Sequence, residues 1–230
     1  IGHLLYGFFY SLYVLYVNEK SKNKFIKSWS KKLLKILKVN LIVNSNLKKL
    51  LSKNNYLIVS NHISWLDIFL INSIYPVTFL SKSSVSMWPF IGSLTKSANT
   101  IYIDREKISA IKGAKIKIEY YLKNIGSVYF FPEGTATDGS YILPFKSNFF
   151  QAAINAKVNV LPIIIKYSYR NKFTSAPSYF DDMSLFKSII NLTKFNNIEA
   201  KLIILPNIKF TSDRKTLARK AYNEIGKVLN

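Results

Sequence analysis

From residue 39 onward, short runs rich in β-branched and aromatic residues alternate with longer segments of helical period, and this alternation limits the fold more than any other feature. VNLIV (39–43), YLIVS (56–60), VTFL (77–80), NTIYID (99–104), GSVYFF (126–131), NVLPIIIKYS (159–168) and EAKLIILP (199–206) have the length and composition of strands. WLDIFLINSI (65–74), KISAIKGAKIKIEYYLK (107–123), NFFQAAINA (148–156) and residues 212–228 read as helices. Strands this apolar must be covered on both faces. The predicted architecture is therefore α/β, with a central mixed, largely parallel sheet flanked by helices. Residues 170–182, RNKFTSAPSYFDD, are the one long loop expected inside it, and no internal repeat is visible.

Residues 1–38 differ from the α/β domain expected over 39–230. LLYGFFYSLYVLYV (4–17) is uninterrupted by charge. It lies near the lower end of the roughly 17 to 25 residues a spanning helix needs. Its aromatic density suits a water–lipid interface. The lysine-rich stretch that follows sets Phe25, Ile26, Trp29, Leu33, Leu34, Ile36 and Leu37 at helical spacing, the pattern of a basic amphipathic helix on anionic headgroups. An N-terminal membrane-associated helical segment is expected, on the cytoplasmic face of the inner (cell) membrane. A signal peptide is not, because a basic stretch before the apolar run and a small-residue cleavage site after it are missing. Since the chain opens on Ile rather than Met, preceding residues are expected to lengthen the span.

The formal charge of +21 raises nucleic acid and anionic membrane as partners. Nearly all of it is lysine; Arg105, Arg170, Arg214 and Arg219 are the arginines, and the signatures of nucleic-acid modules are missing. An anionic membrane surface is the expected partner, and no specific nucleic acid is. With no cysteine in the chain, disulfides, zinc–thiolate sites and thiol nucleophiles are excluded.

Ligands of open α/β sheets bind at the carboxyl ends of strands, which directs attention to three exits. SNHISWLD follows the second strand, Asp104-Arg105 the fourth and Pro132-Glu133-Gly134-Thr135 the fifth. Ser64 and Asp67 have capping-box spacing, which explains Asp67 without catalysis. It does not explain His62. A carboxylate in the first helical turn can reach back to His62, hold one tautomer and stabilise the imidazolium, so capping and general base catalysis are compatible.

NHISWLD resembles the NHxSxxD motif of the glycerolipid acyltransferases, the family of 1-acyl-sn-glycerol-3-phosphate acyltransferases. IYIDR (101–105), FPEGT (131–135) and VLPIII (160–165) are similar, in order, to its other blocks, and LPFKSNFFQAAI (143–154) to the segment after the third. The resemblance implies acyl transfer from a thioester, acyl-CoA or acyl-carrier protein, to the hydroxyl of a lysophospholipid acceptor, with no cofactor beyond the co-substrate. It gives His62 and Asp67 the catalytic roles and assigns the acceptor to Arg105, Glu133, Gly134 and Thr135, with Lys82 similar to a further basic position. Glu133 is expected to orient Arg105 or contact glycerol hydroxyls, and Gly134 to leave room for backbone amides near the reacting carbonyl. No G-x-S-x-G elbow is present, which counts against a serine hydrolase.

Two departures bear on the acceptor. Ala136 stands where family members commonly carry a basic residue, which keeps another lysolipid acceptor, such as a lyso-aminolipid, as the alternative. Asn148 replaces a usual glycine and is expected to tolerate a left-handed turn. A basic nucleic-acid or membrane-surface binding module without chemistry is the remaining class, and it does not need His62 or the ordered blocks.

Overall fold

A computed structural model of the chain describes residues 2–13, 17–87, 91–104, 106–179 and 183–229. The strands are β1 (Val39–Val43), β2 (Leu57–Ser60), β3 (Thr78–Lys82), β4 (Ile101–Ile103), β5 (Val128–Phe130), β6 (Val160–Tyr169), β7 (Lys172–Phe173) and β8 (Ile198–Ile204). All but the short β7 were expected; β7 lies in the segment read as loop and pairs antiparallel with the end of β6. Strand order is β1-β8-β6-β2-β5-β3-β4. Every neighbouring pair along it is parallel except β8 with β6, so the sheet is mixed and largely parallel, as expected.

The helices are α1 (Gly2–Tyr13), α2 (Glu19–Ile36), α3 (Leu47–Leu51), α4 (Asp67–Ile74), α5 (Ile91–Ser97), α6 (Ile108–Asn124), α7 (Phe150–Ala156), α8 (Leu185–Thr193) and α9 (Arg214–Leu229). Within β2, β5 and the first half of β6 every residue is buried, the mark of strands covered on both faces. One face packs Ile58, Phe79, Tyr129 and Ile163 against α2 and α4. The other packs Val59, Phe130 and Val160 against Ile118 of α6, Phe150 of α7 and Leu217 of α9.

Helix α2 differs from the sequence expectation in where its apolar side points. Trp29, Leu33, Leu34 and Leu37, assigned to headgroups, are buried in the same cluster as the sheet. An amphipathic period is common to helices on a membrane and helices on a sheet, so the pattern alone does not choose the cover. Helix α1 docks onto α2 by two reciprocal bonds: His3 Nε2 lies 3.0 Å from the Trp29 carbonyl, and Trp29 Nε1 donates to the His3 carbonyl at 3.1 Å. Tyr6 and Phe9 of α1 remain exposed. Among the described residues no helix is long and apolar enough to cross a membrane.

Truncating Leu33 or Leu34 to Ala therefore tests where α2 belongs. Each should lower unfolding stability by about 2–5 kcal/mol, the usual cost of emptying a buried leucine site. Denaturant unfolding in detergent measures it. A change within about 0.5 kcal/mol is what a lipid-facing position would give.

Candidate active site

The parallel strands β2, β5 and β3 lie side by side, and their carboxyl ends carry the residues singled out above. After Ser60 the chain leaves the ladder, but Asn61 continues it with its side chain. Its amide donates to the Ile165 carbonyl at 2.9 Å and accepts from the Ile165 N–H at 2.8 Å. This double bond stitches the β2 exit to β6. Next to it the Tyr129 hydroxyl donates to Ser60 Oγ at 2.6 Å, and Ser60 donates to the Asn61 carbonyl at 2.8 Å.

Asp67 opens α4 and is wholly buried. The capping-box reading holds in part: α4 begins at Asp67 with Leu66 as its N-cap and no side-chain cap bond, while Ser64 Oγ accepts from the Leu66 N–H at 3.2 Å and Asp67 Oδ2 reaches back to accept from the Ser64 N–H at 3.0 Å and the Ile63 N–H at 2.8 Å. The same oxygen is 2.9 Å from His62 Nδ1. Because a carboxylate surrounded by donors accepts, this contact favours the tautomer with the proton on Nδ1, which leaves Nε2 without one. The imidazole stacks on Phe131, with ring centroids 3.7 Å apart and planes 14° apart. Stacking fixes the ring plane while Asp67 fixes its rotation.

The loop after β5 clamps His62 from both sides of its backbone. Glu133 Oε1 accepts from the His62 N–H at 2.7 Å, and the Thr137 N–H donates to the His62 carbonyl at 2.9 Å. Glu133 Oε2 accepts from the Leu143 N–H, also at 2.7 Å. Of the two uses expected of Glu133, orienting Arg105 falls on a residue outside the described ones, and contact with glycerol hydroxyls does not match its place: it is 2% exposed, both oxygens accept from backbone amides, and it acts as a brace. Burial pushes its carboxyl up to about 7, against the pull of those two amides. Gly134 has φ +85°, a left-handed angle that suits glycine, and its N–H closes the turn onto the Phe131 carbonyl at 3.2 Å. Asn148 is not among the residues of positive φ, so no left-handed turn is needed where glycine was expected.

These elements enclose a cleft of about 300 Å³. His62, Lys82, Gly134 and Thr135 all line it, together with Lys146, which sequence reasoning passed over. Arg105 lies outside the described residues. Lys146 reaches the cleft because its N–H bonds to the Pro132 carbonyl at 2.9 Å, while Glu133 holds Leu143 three residues earlier. Phe130, Phe131 and Phe149 form part of the wall, and no carboxylate lines the cleft among the described residues. Ile68 and Ser81 are shared with a narrow apolar space between α2, α4 and α5, lined by Phe25, Trp29 and Phe69. A larger polar cavity of about 1200 Å³ near Lys22, Ser127 and Asn159 lies by the amino ends of the strands and contains none of these groups. Size alone does not locate the site.

A family model described as Acyltransferase matches residues 40–166, the stretch that holds His62, Asp67, Glu133 and Lys146. The 1-acyl-sn-glycerol-3-phosphate acyltransferase of Neisseria gonorrhoeae is 34% identical over 163 residues, 70% of this chain and 63% of that protein. The lyso-ornithine lipid O-acyltransferase of Pseudomonas aeruginosa is 30% identical over 168 residues, 73% of this chain and 65% of that protein. The chain thus spans less than two thirds of the length of these relatives. The crystal structure of the 1-acyl-sn-glycerophosphate (LPA) acyltransferase PlsC from Thermotoga maritima superposes with a TM-score of 0.71 at 21% identity, covering 98% of this chain and 89% of that one. That likeness is one of fold.

Glu133 makes the stability of the site depend on pH. Between 4.5 and about 7 the folded protein keeps a proton on this carboxyl that the unfolded chain has released, so stability falls as pH rises through the window. Glu133→Gln removes the titration. The drop in denaturation midpoint between about pH 5 and about pH 7 should be smaller in the variant. Equal drops would assign the linkage to other groups.

Proposed function

Because the chain belongs to the acyltransferase family, we propose that it transfers an acyl chain from acyl-CoA or acyl-carrier protein to the free hydroxyl of 1-acyl-glycerol-3-phosphate, giving phosphatidate. The observation that carries this reading is the 2.9 Å His62–Asp67 contact, made by an imidazole that lines a cationic cleft. His62 Nε2 takes the hydroxyl proton as the oxygen attacks the thioester carbonyl. A carbon–oxygen bond forms, the tetrahedral intermediate collapses, and the carbon–sulfur bond breaks. The proton on Nε2 then passes to the departing thiolate. Asp67 stabilises the imidazolium between the two transfers.

The carbonyl oxygen becomes negative in the intermediate and needs a donor. The Thr135 N–H has no hydrogen-bond partner among the described residues, and we assign it that role; the Gly134 N–H already bonds Phe131. Lys82 and Lys146 at the cleft suit a phosphate acceptor. Lys146 offsets the charge missing at Ala136, and both lysines would repel the ammonium of a lyso-aminolipid.

We also propose attachment to the cytoplasmic face of the inner membrane through α1. Tyr6, Phe9 and, on the short 3-10 turn Ser83–Met87 after β3, Met87 are exposed. Helix α1 packs on α5 and α5 on that turn, so this apolar side adjoins the cleft that a lysolipid must enter.

Thioester consumption by the purified protein against a panel of lysolipids tests the reading. Lysophosphatidate should be the preferred acceptor, and His62→Ala should lower kcat by about 10²-fold or more. Lys146→Ala and Lys82→Ala should each raise the KM for lysophosphatidate by up to about tenfold, leaving that for the thioester nearly unchanged. Preference for a lyso-aminolipid would favour the alternative acceptor, and a fully active His62→Ala would remove the base.

Attachment is tested by flotation with anionic vesicles. Phe9→Glu should release a large fraction of the protein from the vesicles, because a charge placed in the interface opposes burial of the apolar face. Unchanged flotation would exclude α1 as the anchor.

A further inference from the structure

The two oxygens of Asp67 are held differently. Oδ2 takes three donors from its own loop, His62 Nδ1 and the N–H groups of Ile63 and Ser64. Oδ1 takes one among the described residues, the Tyr167 hydroxyl at 2.8 Å, from a position on β6 a hundred residues away. Tyr167 is 2% exposed. Burial, then the Asp67 charge, push its hydroxyl well above the ordinary tyrosine range, so it keeps its proton and donates. Tyr129 and Glu133 are the other titratable groups near this carboxylate, from β5 and its exit loop. Both bond elsewhere, Tyr129 to Ser60 and Glu133 to the amides of His62 and Leu143.

A carboxylate anchored through one oxygen can rotate about its Cβ–Cγ bond, because that torsion is soft. Rotation would bring Oδ1 toward His62 and loosen the bond that selects the Nδ1–H tautomer. We infer that Tyr167 is a positioning residue for the proton transfer: by engaging Oδ1 it fixes the Asp67 plane, so that Oδ2 holds the proton on His62 Nδ1 and Nε2 stays basic. The strand is built to deliver it. Asn61 pairs with Ile165 two residues earlier, which ties the height of Tyr167 on β6 to the loop that carries His62. The inference rests on His62 as the base.

A tyrosine that merely filled space would be replaced by phenylalanine without consequence for the imidazole. The chain has two histidines, so 15N-histidine labelling reads the His62 tautomer directly, with His3 assigned by its own substitution. Wild type should show Nδ1 protonated and Nε2 unprotonated. Tyr167→Phe should give a mixture of tautomers and a kcat lower by about tenfold or more, with both KM values within about twofold. Site-specific 3-fluorotyrosine, which retains a donor, should keep the single tautomer and most of the activity. If the Phe variant does not fold, 4-fluorophenylalanine at 167 fills the hydroxyl volume without donating, and its comparison with 3-fluorotyrosine gives the same reading. A donor-free variant with the wild-type tautomer, or one whose activity falls only with its folded fraction, would overturn the inference. Wild type that transfers no acyl chain, yet has a tautomer dependent on Tyr167, would instead defeat the functional reading alone.

Discussion

A buried carboxylate is the constraint around which this end of the molecule is arranged. Asp67 has no contact with water, and a charge in that position is tolerable only when donors replace the lost hydration. Four do so: His62 Nδ1, two loop amides and the Tyr167 hydroxyl. Each places a demand on a different part of the chain. The amides require the loop to turn tightly into α4, Tyr167 requires β6 beside β2, and His62 requires the loop to stay clear of the sheet. The parallel pairing of β2 with β6 meets the second of these.

Much of this was legible in the sequence, because strands buried on both faces declare themselves by composition and the NHISWLD spacing declares a helix start. The helices α3, α5 and α8 were not, for physical reasons. Helix α3 has five residues and α5 seven, too short for a period to emerge, and both run through lysine or serine. Helix α8 lies just after the segment read as loop; its beginning is marked by Ser184, whose hydroxyl accepts from the Lys187 N–H. Lys146 was hidden by abundance, since one lysine among so many carries no signal. Its place at the cleft depends on the Pro132 carbonyl, a contact between backbone groups that no side-chain pattern encodes. Thr137, equally, acts on His62 through its backbone N–H.

Glu133 shows how a motif residue can serve the backbone around a site. An acidic residue after a strand, beside a glycine and a threonine, reads as a ligand contact when only the side-chain chemistry is considered. Its surroundings decide otherwise. The part-buried amides of His62 and Leu143 both need an acceptor, and a carboxylate can satisfy two at once. The brace also joins the two loops that carry His62 and Lys146. His62 and one of the cleft lysines are thereby set relative to each other by a residue that does not itself line the cleft.

The same reasoning bears on the lysine excess and the apolar face of α2. Trp29, Leu33 and Leu34 cover the sheet, so the proposed attachment to a membrane must draw on residues that the core leaves over. On α1 those are Tyr6 and Phe9, one with a polar tip and one without. Lys27, Lys31 and Lys35 of α2 line a shallow groove together with Lys48 of α3 and Leu34. Burial first, and then the charges of Lys31 and Lys48, lower the Lys27 ammonium below its ordinary range. Like charges gathered this way are poor internal stabilisers, and their repulsion reaches further as salt falls. The positive face of α2 is thus tolerated by the fold rather than required by it, whereas the apolar face of the same helix is required.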